Sequence, residues 1–274
     1  MARIDSINIL LTTEGNDKLA EVYGKVIGNV QKRCISQALK NTNLSGTPGA
    51  GSYECKRFAN RTSNDYGTAR AGGKGQAVKV EPVVVSIDTK KELVTEVEQH
   101  DVTLYGVDGL VARQADMDEK SMQRELERAF FTAAANAASA VTPASGATPA
   151  EVAEALIQSV ETVENDYVDG VERDEIAVVC APAFFGQLRT YMDTVNDGGA
   201  DGALFGNYHG VKFYSNTYMP DGVKAIAMHK GAVAQPVLPT VAPAEKIQFS
   251  NAIGFGIFFS YGTKVVEPDL VFKY

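Results

Sequence analysis

The amino-acid sequence predicts an α+β fold, in which helices and short strands occupy separate stretches of the chain. Three observations carry this prediction. Apolar residues recur at helical spacing over 14–40 and 116–140, short apolar runs begin at Val83 and Ile176, and residues 245–274 alternate like strands with glycine breaks. No internal repeat is visible, and 274 residues are enough to bury a sizeable core.

The first helix is predicted over 14–40, where Leu19, Val26 and Val30 lie on one face. The breaker run 41–51 separates this helix from the rest of the chain. We therefore expect its apolar stripe to pack on a neighbouring molecule, so that deleting residues 1–40 leaves a folded subunit that assembles poorly.

A long polar excursion is predicted over 46–85. It has no sustained apolar pattern up to Gln76 and carries glycines at 72, 73 and 75. So little apolar surface cannot fold by itself, which favours a hairpin or arm ordered against another molecule. A disordered loop is the alternative.

The middle of the chain predicts a strand and two helices. Residues 83–87 form a continuous apolar run, and 116–140 is the clearest helix, capped by Asp116 or Asp118 and rich in alanine towards its end. The next helix, 148–163, begins with a capping box, since Thr148 is followed by Pro149 and by Glu151.

The remaining elements are short. A buried strand is predicted over 176–180, a helix from Pro182 to about Met192, and two strands over 211–214 and 223–228. An Asp- and Gly-rich loop, 193–209, precedes these two strands.

Charge is distributed unevenly along the chain. The net charge of −8 argues against a protein whose main function is to bind nucleic acid. Residues 46–80, however, carry net +4, which leaves −12 for the rest. A basic segment on an acidic body indicates contact between copies of the same chain. The basic residues of the segment are Lys56, Arg57, Arg61, Arg70, Lys74 and Lys79.

The cysteine pattern and the hydropathy of the sequence indicate the cellular compartment in which the protein is made. Cys34, Cys55 and Cys180 are far apart and form no C-x-x-C pair, which is typical of free thiols in a reducing compartment. Neither a signal peptide nor an apolar run of about 18 residues is visible in the sequence. We expect the protein to be made in cytoplasm.

No candidate catalytic or ligand-binding motif in the sequence has the residue spacing that its chemistry requires. The glycine-rich 67–75 lacks the Lys-Ser/Thr pair of a phosphate loop, and 193–204 has Leu204 where a calcium loop needs a bidentate Glu. His209 and His229 flank a predicted hairpin but belong to no metal or catalytic motif. The sequence therefore predicts no catalytic site, no cofactor and no metal.

The second half of the chain resembles the major capsid proteins of tailed bacteriophages, the Hong-Kong-97-like shell fold. The stretch IAVVCAPAFFGQLR leads from a strand into a helix through an element matched by Pro182–Leu188. Later motifs of the family are matched at Gly210, Ser215, Asn216 and Pro220, at His229, Lys230 and Ala232, and at Gly262, Lys264, Val265, Pro268 and Leu270–Val271.

This resemblance implies an arrangement of domains. Its parts are an N-terminal arm, an extended E-loop, a peripheral domain with a spine helix at 116–140, an axial domain, and C-terminal strands returning to both domains. The corresponding ranges are 1–45, 46–85, 86–164, 165–240 and 241–274.

The resemblance also implies a function and partners. The protein is expected to be a structural coat protein, not an enzyme, that forms hexamers and pentamers around double-stranded DNA in the virion, with assembly in the host cytoplasm. Scaffolding, portal and decoration proteins are possible partners, and DNA contact is expected to be weak and non-specific. No membrane contact is expected.

The basic excursion would then be an E-loop lying over a neighbour. We expect it to pair with carboxylates near the neighbour's spine helix, and reversal of three arginines to spoil assembly while leaving monomer melting nearly unchanged. The contact residues predicted in this way are Arg57, Arg61, Arg70 and Lys74 on the loop, and Asp116, Asp118 and Glu119 on the neighbour.

Two alternatives remain open from the sequence. One is an encapsulin-type shell, with the same fold but enclosing a cargo enzyme. The other is a cytoplasmic enzyme or binding domain that uses His209 and His229, which the capsid interpretation instead treats as turn and packing residues.

Overall fold

The computed structural model describes residues 6–46, 51–68, 72, 75, 77–195 and 207–274. The chain forms two compact units, each built from three stretches of sequence. Unit 1 takes its described residues from Met1–Ala38, Ile87–Glu127 and Pro236–Gly262. Unit 2 takes them from Leu39–Ser86, Arg128–Gln235 and Thr263–Tyr274. Helices and strands alternate irregularly along the chain, which confirms the α+β class.

Unit 1 begins with a short 3-10 helix, Ile7–Leu11, and with α1, Thr13–Arg33, followed by α2, Ile35–Leu39, at the unit boundary. The Thr12 hydroxyl caps α1 by accepting a hydrogen bond from the Gly15 amide at 3.1 Å. The helical stripe predicted over 14–40 is confirmed, but its packing partner is not a neighbour. Leu19, Tyr23, Val26 and Val30 are buried within unit 1.

This burial argues against the result expected from deleting residues 1–40, a folded subunit that assembles poorly. Removing α1 uncovers the apolar surface against which these side chains pack, and that surface belongs to the same subunit. The breaker run 41–51 separates the helix from the next elements along the sequence. Such a break does not determine whether the helix packs on its own subunit or on a neighbour.

The longest helix, α3, spans Val102–Ala137 and begins 14 residues before the predicted helix at 116–140. Gly106 has a non-helical φ of 69° and marks a kink near its start. A second glycine, Gly109, further weakens the helical pattern of the first turns. Residues 102–127 of α3 belong to unit 1 and the rest to unit 2.

The sheet of unit 1 has three antiparallel strands in the order β10-β11-β3. They are β3 at Thr89–Val97, β10 at Val237–Lys246 and β11 at Ile253–Tyr261. One face carries Ile253, Phe255, Ile257 and Phe259, which are all buried. The opposite face carries Val94 and Phe258, which are exposed.

The core of unit 2 is a six-stranded sheet in the order β4-β13-β8-β5-β7-β6. Its central strand β5, Ile176–Cys180, is buried at every position, as its unbroken apolar sequence predicts. It pairs in parallel with β7, Val211–Ser215, and antiparallel with β8, Ala225–His229. The outer strands are β4 at Ser139–Ala140, β6 at Asn207–Tyr208 and β13 at Val271–Lys273.

Two helices accompany this sheet. They are α4, Pro149–Glu161, and α5, Pro182–Val195. The capping box predicted at the start of α4 is confirmed, since Thr148 and Glu151 exchange both hydrogen bonds. The buried face of α4 includes Leu156, Ile157 and Val160.

The excursion forms a two-stranded antiparallel ribbon of β1, Ser52–Phe58, and β2, Val80–Ser86. Cys55 and Val85 from one face of the ribbon lie in a small apolar cluster with Ala234 and Val266, close to the short pair of β9, Val233–Ala234, and β12, Lys264–Val265. The described base of the excursion is therefore folded within its own subunit, contrary to the expectation that it needs a neighbour to become ordered.

Candidate subunit-contact surface

The predicted contact residue Arg57 lies on the inner face of the ribbon. Its side chain is only 8% exposed, lies 3.1 Å from the Asp269 carboxylate and 3.8 Å from that of Glu81, and stacks over the Tyr167 ring at 4.4 Å. A guanidinium suits this position because it can pair with carboxylates and stack on an aromatic ring at once. All of these partners belong to unit 2 of the same chain.

Arg61 lies differently. It is exposed and lines an open cavity of about 500 Å³ between the ribbon and the turn at 165–167. Lys79 lies at the same cavity, and Asn60 ties its edge to the turn by donating its amide to the Asp166 carbonyl at 2.8 Å. Arg70 and Lys74 lie outside the described residues.

The three carboxylates predicted as partners also differ. Asp116 is exposed, whereas Asp118 and Glu119 are 7% and 6% exposed. Tyr23 donates its hydroxyl to Asp118 at 2.9 Å, and Glu119 accepts from Asn29 at 2.9 Å and from Arg33 at 2.8 Å. Asp118 and Glu119 both fasten α1 to α3 within unit 1, which argues against the predicted contact of these two carboxylates with a neighbouring subunit.

Burial shifts the pKa values of Asp118 and of its hydrogen-bond partner Tyr23. Desolvation raises the pKa of Asp118 above its usual value, and the hydrogen bond from Tyr23 opposes the shift. Burial, together with the nearby Asp118 charge, raises the pKa of the Tyr23 phenol. The phenol therefore stays protonated and acts as the donor.

The outer face of the ribbon carries a feature that charge analysis missed. Phe58 and Val80 are cross-strand partners, 60% and 40% exposed, and Val84 on the same face is 49% exposed. Residues 82–85 are all apolar, so the sequence shows no two-residue alternation that would single out this face.

The two histidines occupy structural positions. His209 sits in the turn between β6 and β7 with a left-handed φ of 47°. His229 ends β8, with Nδ1 2.9 Å from the Glu267 carboxylate and Nε2 3.8 Å from that of Glu175. Within the described residues, no group of three or more His, Cys, Asp or Glu side chains is arranged to hold a metal ion.

The glycine-rich segment 67–75 is only partly described, and most of the acidic loop 193–204 lies outside the described residues. Among the helices of the described ranges, none has the length and apolar character needed to cross a bilayer.

Comparisons with known proteins give a clear result at the level of the fold. No family model matches the sequence, and no curated protein matches it. Solved structures do match, and they are mostly phage capsids.

Three of these structures illustrate the match. One from Mycobacterium phage Che8 is 18% identical with a TM-score of 0.59, over 81% of this chain and 84% of that one. The capsid of cyanophage P-SCSP1u is 14% identical with a TM-score of 0.61, over 88% and 87%. A virus-like particle from Pyrococcus furiosus is 11% identical with a TM-score of 0.60, over 95% and 99%. The chain therefore has the Hong-Kong-97-like fold of phage capsid proteins.

Proposed function

We propose that this protein is the major capsid protein of a tailed bacteriophage, which self-assembles into hexamers and pentamers and encloses double-stranded DNA. The observation that carries the proposal is the two-sided coverage of the phage capsid matches. More than four fifths of this chain match the chain from phage Che8 and the capsid chain of P-SCSP1u, and more than four fifths of each of those chains are covered in return.

The surface of the described residues supports self-association. The outer ribbon face carries Phe58, Val80 and Val84 in one exposed apolar strip, beside the exposed cations Lys56 and Arg61. Apolar patches rimmed by polar residues are typical of protein interaction sites. The acidic remainder of the chain, at net −12, provides a complementary surface on a neighbouring copy.

The negative net charge is also consistent with an enclosed genome that is held loosely. Phosphate binding requires basic patches, and the affinity rises with the number of phosphates that they contact. The basic segment 46–80 is assigned here to protein contact, so binding to DNA by free subunits is expected to be weak, non-specific and easily reversed by salt. In this proposal the mature location is the virion, assembly takes place in host cytoplasm, and scaffolding, portal and decoration proteins act as partners.

A second candidate is a shell of the encapsulin type around a protein cargo. The match to the Pyrococcus furiosus virus-like particle favours it, since 95% of this chain and 99% of that one are covered. The matched structures give no such support to an enzyme built on His209 and His229.

Particles isolated from the native source distinguish the two shell functions. After nuclease treatment, the phage proposal predicts protected double-stranded DNA of genome length inside the particles. Particles that instead contain a stoichiometric second protein and no protected DNA would establish the cargo shell. A chain that stays monomeric when expressed alone and in its source would overturn both.

A further inference from the structure

The hairpin that joins β10 to β11 ends in an isolated aromatic side chain. Phe249 is fully exposed and has a left-handed φ of 61°, which is rare for a bulky residue that is not glycine. The turn around it is fixed, since the Ile247 amide donates to the Ala252 carbonyl at 3.1 Å and the Ser250 amide to the Ile247 carbonyl at 3.2 Å. A strained residue that holds a large apolar group in water points to a contact outside the described chain.

An open cavity of about 320 Å³ lies on the exposed face of the same sheet. Val94, Ala242 and Phe258 give it an apolar lining, and Gly254 leaves room at its floor. Its volume lies at the lower end of the range for small-ligand pockets, roughly 300–1,000 Å³, and accommodates one aromatic ring.

Charge favours the hairpin tip as the occupant. Residues 246–251 carry one positive charge, Lys246, and no carboxylate. The rim of the cavity carries two exposed carboxylates, Glu96 and Glu245, and one exposed cation, Lys246, so it keeps a net negative charge. A tip entering from another molecule would bring its lysine towards these carboxylates while its ring enters the apolar floor.

We propose that Phe249 of one copy inserts into the cavity between β3, β10 and β11 of a second copy of this chain. Complete exposure of Phe249 means that it does not fill the cavity of its own chain. Because the tip and the cavity belong to the same sheet, copies can exchange them around a symmetry axis and close the contact. The inference rests on the proposed shell function and names one contact of that shell.

The chain offers a way to close the cavity without disturbing the fold. A Cβ atom at Gly254 would lie 3.6 Å from Ile247 and 3.9 Å from Val94 side-chain atoms, which is ordinary contact. By contrast, a Cβ atom at Gly256 would lie 2.0 Å from the Leu93 carbonyl oxygen. Gly254→Val therefore fills the cavity, and a valine suits a strand, whereas position 256 must stay glycine.

The test compares self-association of the full-length protein by analytical ultracentrifugation across a concentration series. Phe249→Asn keeps a residue that tolerates left-handed φ but removes the ring, and Phe249→Tyr restores an aromatic. Ile9→Asn is the matched control, since Ile9 is 48% exposed at another surface. Thermal melting of each variant checks the fold.

Phe249→Asn and Gly254→Val are each expected to raise the concentration for half-assembly by about tenfold or more, as loss of a buried aromatic anchor does. The double variant should be no worse than either single one, and Phe249→Tyr and Ile9→Asn should assemble like wild type. A wild type that assembles while both single variants assemble equally well would overturn this inference and leave the shell function standing. A wild type that stays monomeric would overturn both.

Discussion

The two faces of the β1–β2 ribbon differ in burial, although their residues alternate along the same strands. The inner face carries Cys55, Arg57 and Val85, which are enclosed by unit 2. The outer face carries Phe58, Val80 and Val84, which are exposed. A ribbon of two strands is marginal in water by itself, so the inner face supplies the stability and leaves the outer face available to a neighbour.

This difference shows why net charge was a poor guide to the contact residues. Arg57 and Arg61 are four residues apart in a basic segment, and Asp116 and Asp118 are two apart on one helix. One member of each pair is engaged inside the subunit and the other is exposed. Position in the fold, and not charge, separates the members of each pair.

The largest expected effect comes from reversing the enclosed arginine. Arg57→Glu places a carboxylate beside Asp269 and Glu81 and removes the stacking on Tyr167. It should lower the free energy of unfolding of the monomer by about 3 kcal/mol, the lower end for a broken buried pair, because its partners are about half exposed. Urea denaturation of both proteins measures this.

Arg61→Glu is the matched control and should change the monomer by less than about 0.5 kcal/mol. Equal stability of the two variants would mean that the inner face does not hold the ribbon. The position of Arg57 therefore argues against the sequence-based expectation that reversing the three arginines leaves monomer melting nearly unchanged.

The next effect compares two adjacent valines of β2. Val85 is 1% exposed and Val84 is 49% exposed. Val85→Ala should cost about 2 kcal/mol of unfolding free energy, because two buried methyl groups are lost and a cavity remains. Val84→Ala should leave the monomer unchanged and weaken assembly instead. Chemical denaturation and a sedimentation assay read the two effects separately, and a reversed pattern would exchange the roles of the faces.

A smaller effect concerns pH and the α1–α3 contact. Burial raises the pKa of Asp118 in the folded state, so its ionised form opposes folding. The contribution of Asp118 to folding stability is complete below the pKa that this residue has in the unfolded chain. The contribution is lost as pH rises through the higher pKa of the folded state.

Asp118→Asn keeps an acceptor for the Tyr23 hydroxyl and removes the charge. It should be at least as stable as wild type at pH 7, with the difference shrinking as pH falls towards 4. Melting temperatures between pH 4 and 8 test this, with Asp116→Asn as the exposed control. A variant that loses stability at pH 7 would mean that the ionised carboxylate stabilises the contact.

The smallest effect per contact is expected from the exposed charges. Reversal of Arg61 or of Asp116 removes exposed pairs worth about 0–1 kcal/mol each, and a shell repeats each contact many times. Assembly of these variants should be weaker and should approach the wild-type level as salt is raised, since screening acts on exposed charges. Light scattering over a salt series measures it, and assembly that is unaffected at low salt would remove both residues from the contact.

Local signals in the sequence predicted much of the fold. Thr148 and Glu151 fixed the start of α4, and the unbroken apolar run Ile176–Cys180 identified the central strand. These signals are short-range. The start of α3 was missed because Gly106 and Gly109 interrupt its pattern, although the helix forms around them.

The contact surface was much harder to predict. Charged residues are rarely buried without a partner, and the partners of Glu119 are Asn29 and Arg33, about 90 residues earlier in the chain. No local pattern connects them. The exposed aromatic at Phe249 likewise depends on a turn conformation that its neighbours in sequence do not specify.

Negative-stain electron microscopy of the purified full-length chain, expressed alone and concentrated at low and at physiological salt, tests the central claim most directly. The account predicts closed, hollow, roughly spherical particles of uniform size, or their ring-shaped pentamers and hexamers, built from this chain alone. Monomers at every concentration and salt, in a protein that melts cooperatively, would contradict it.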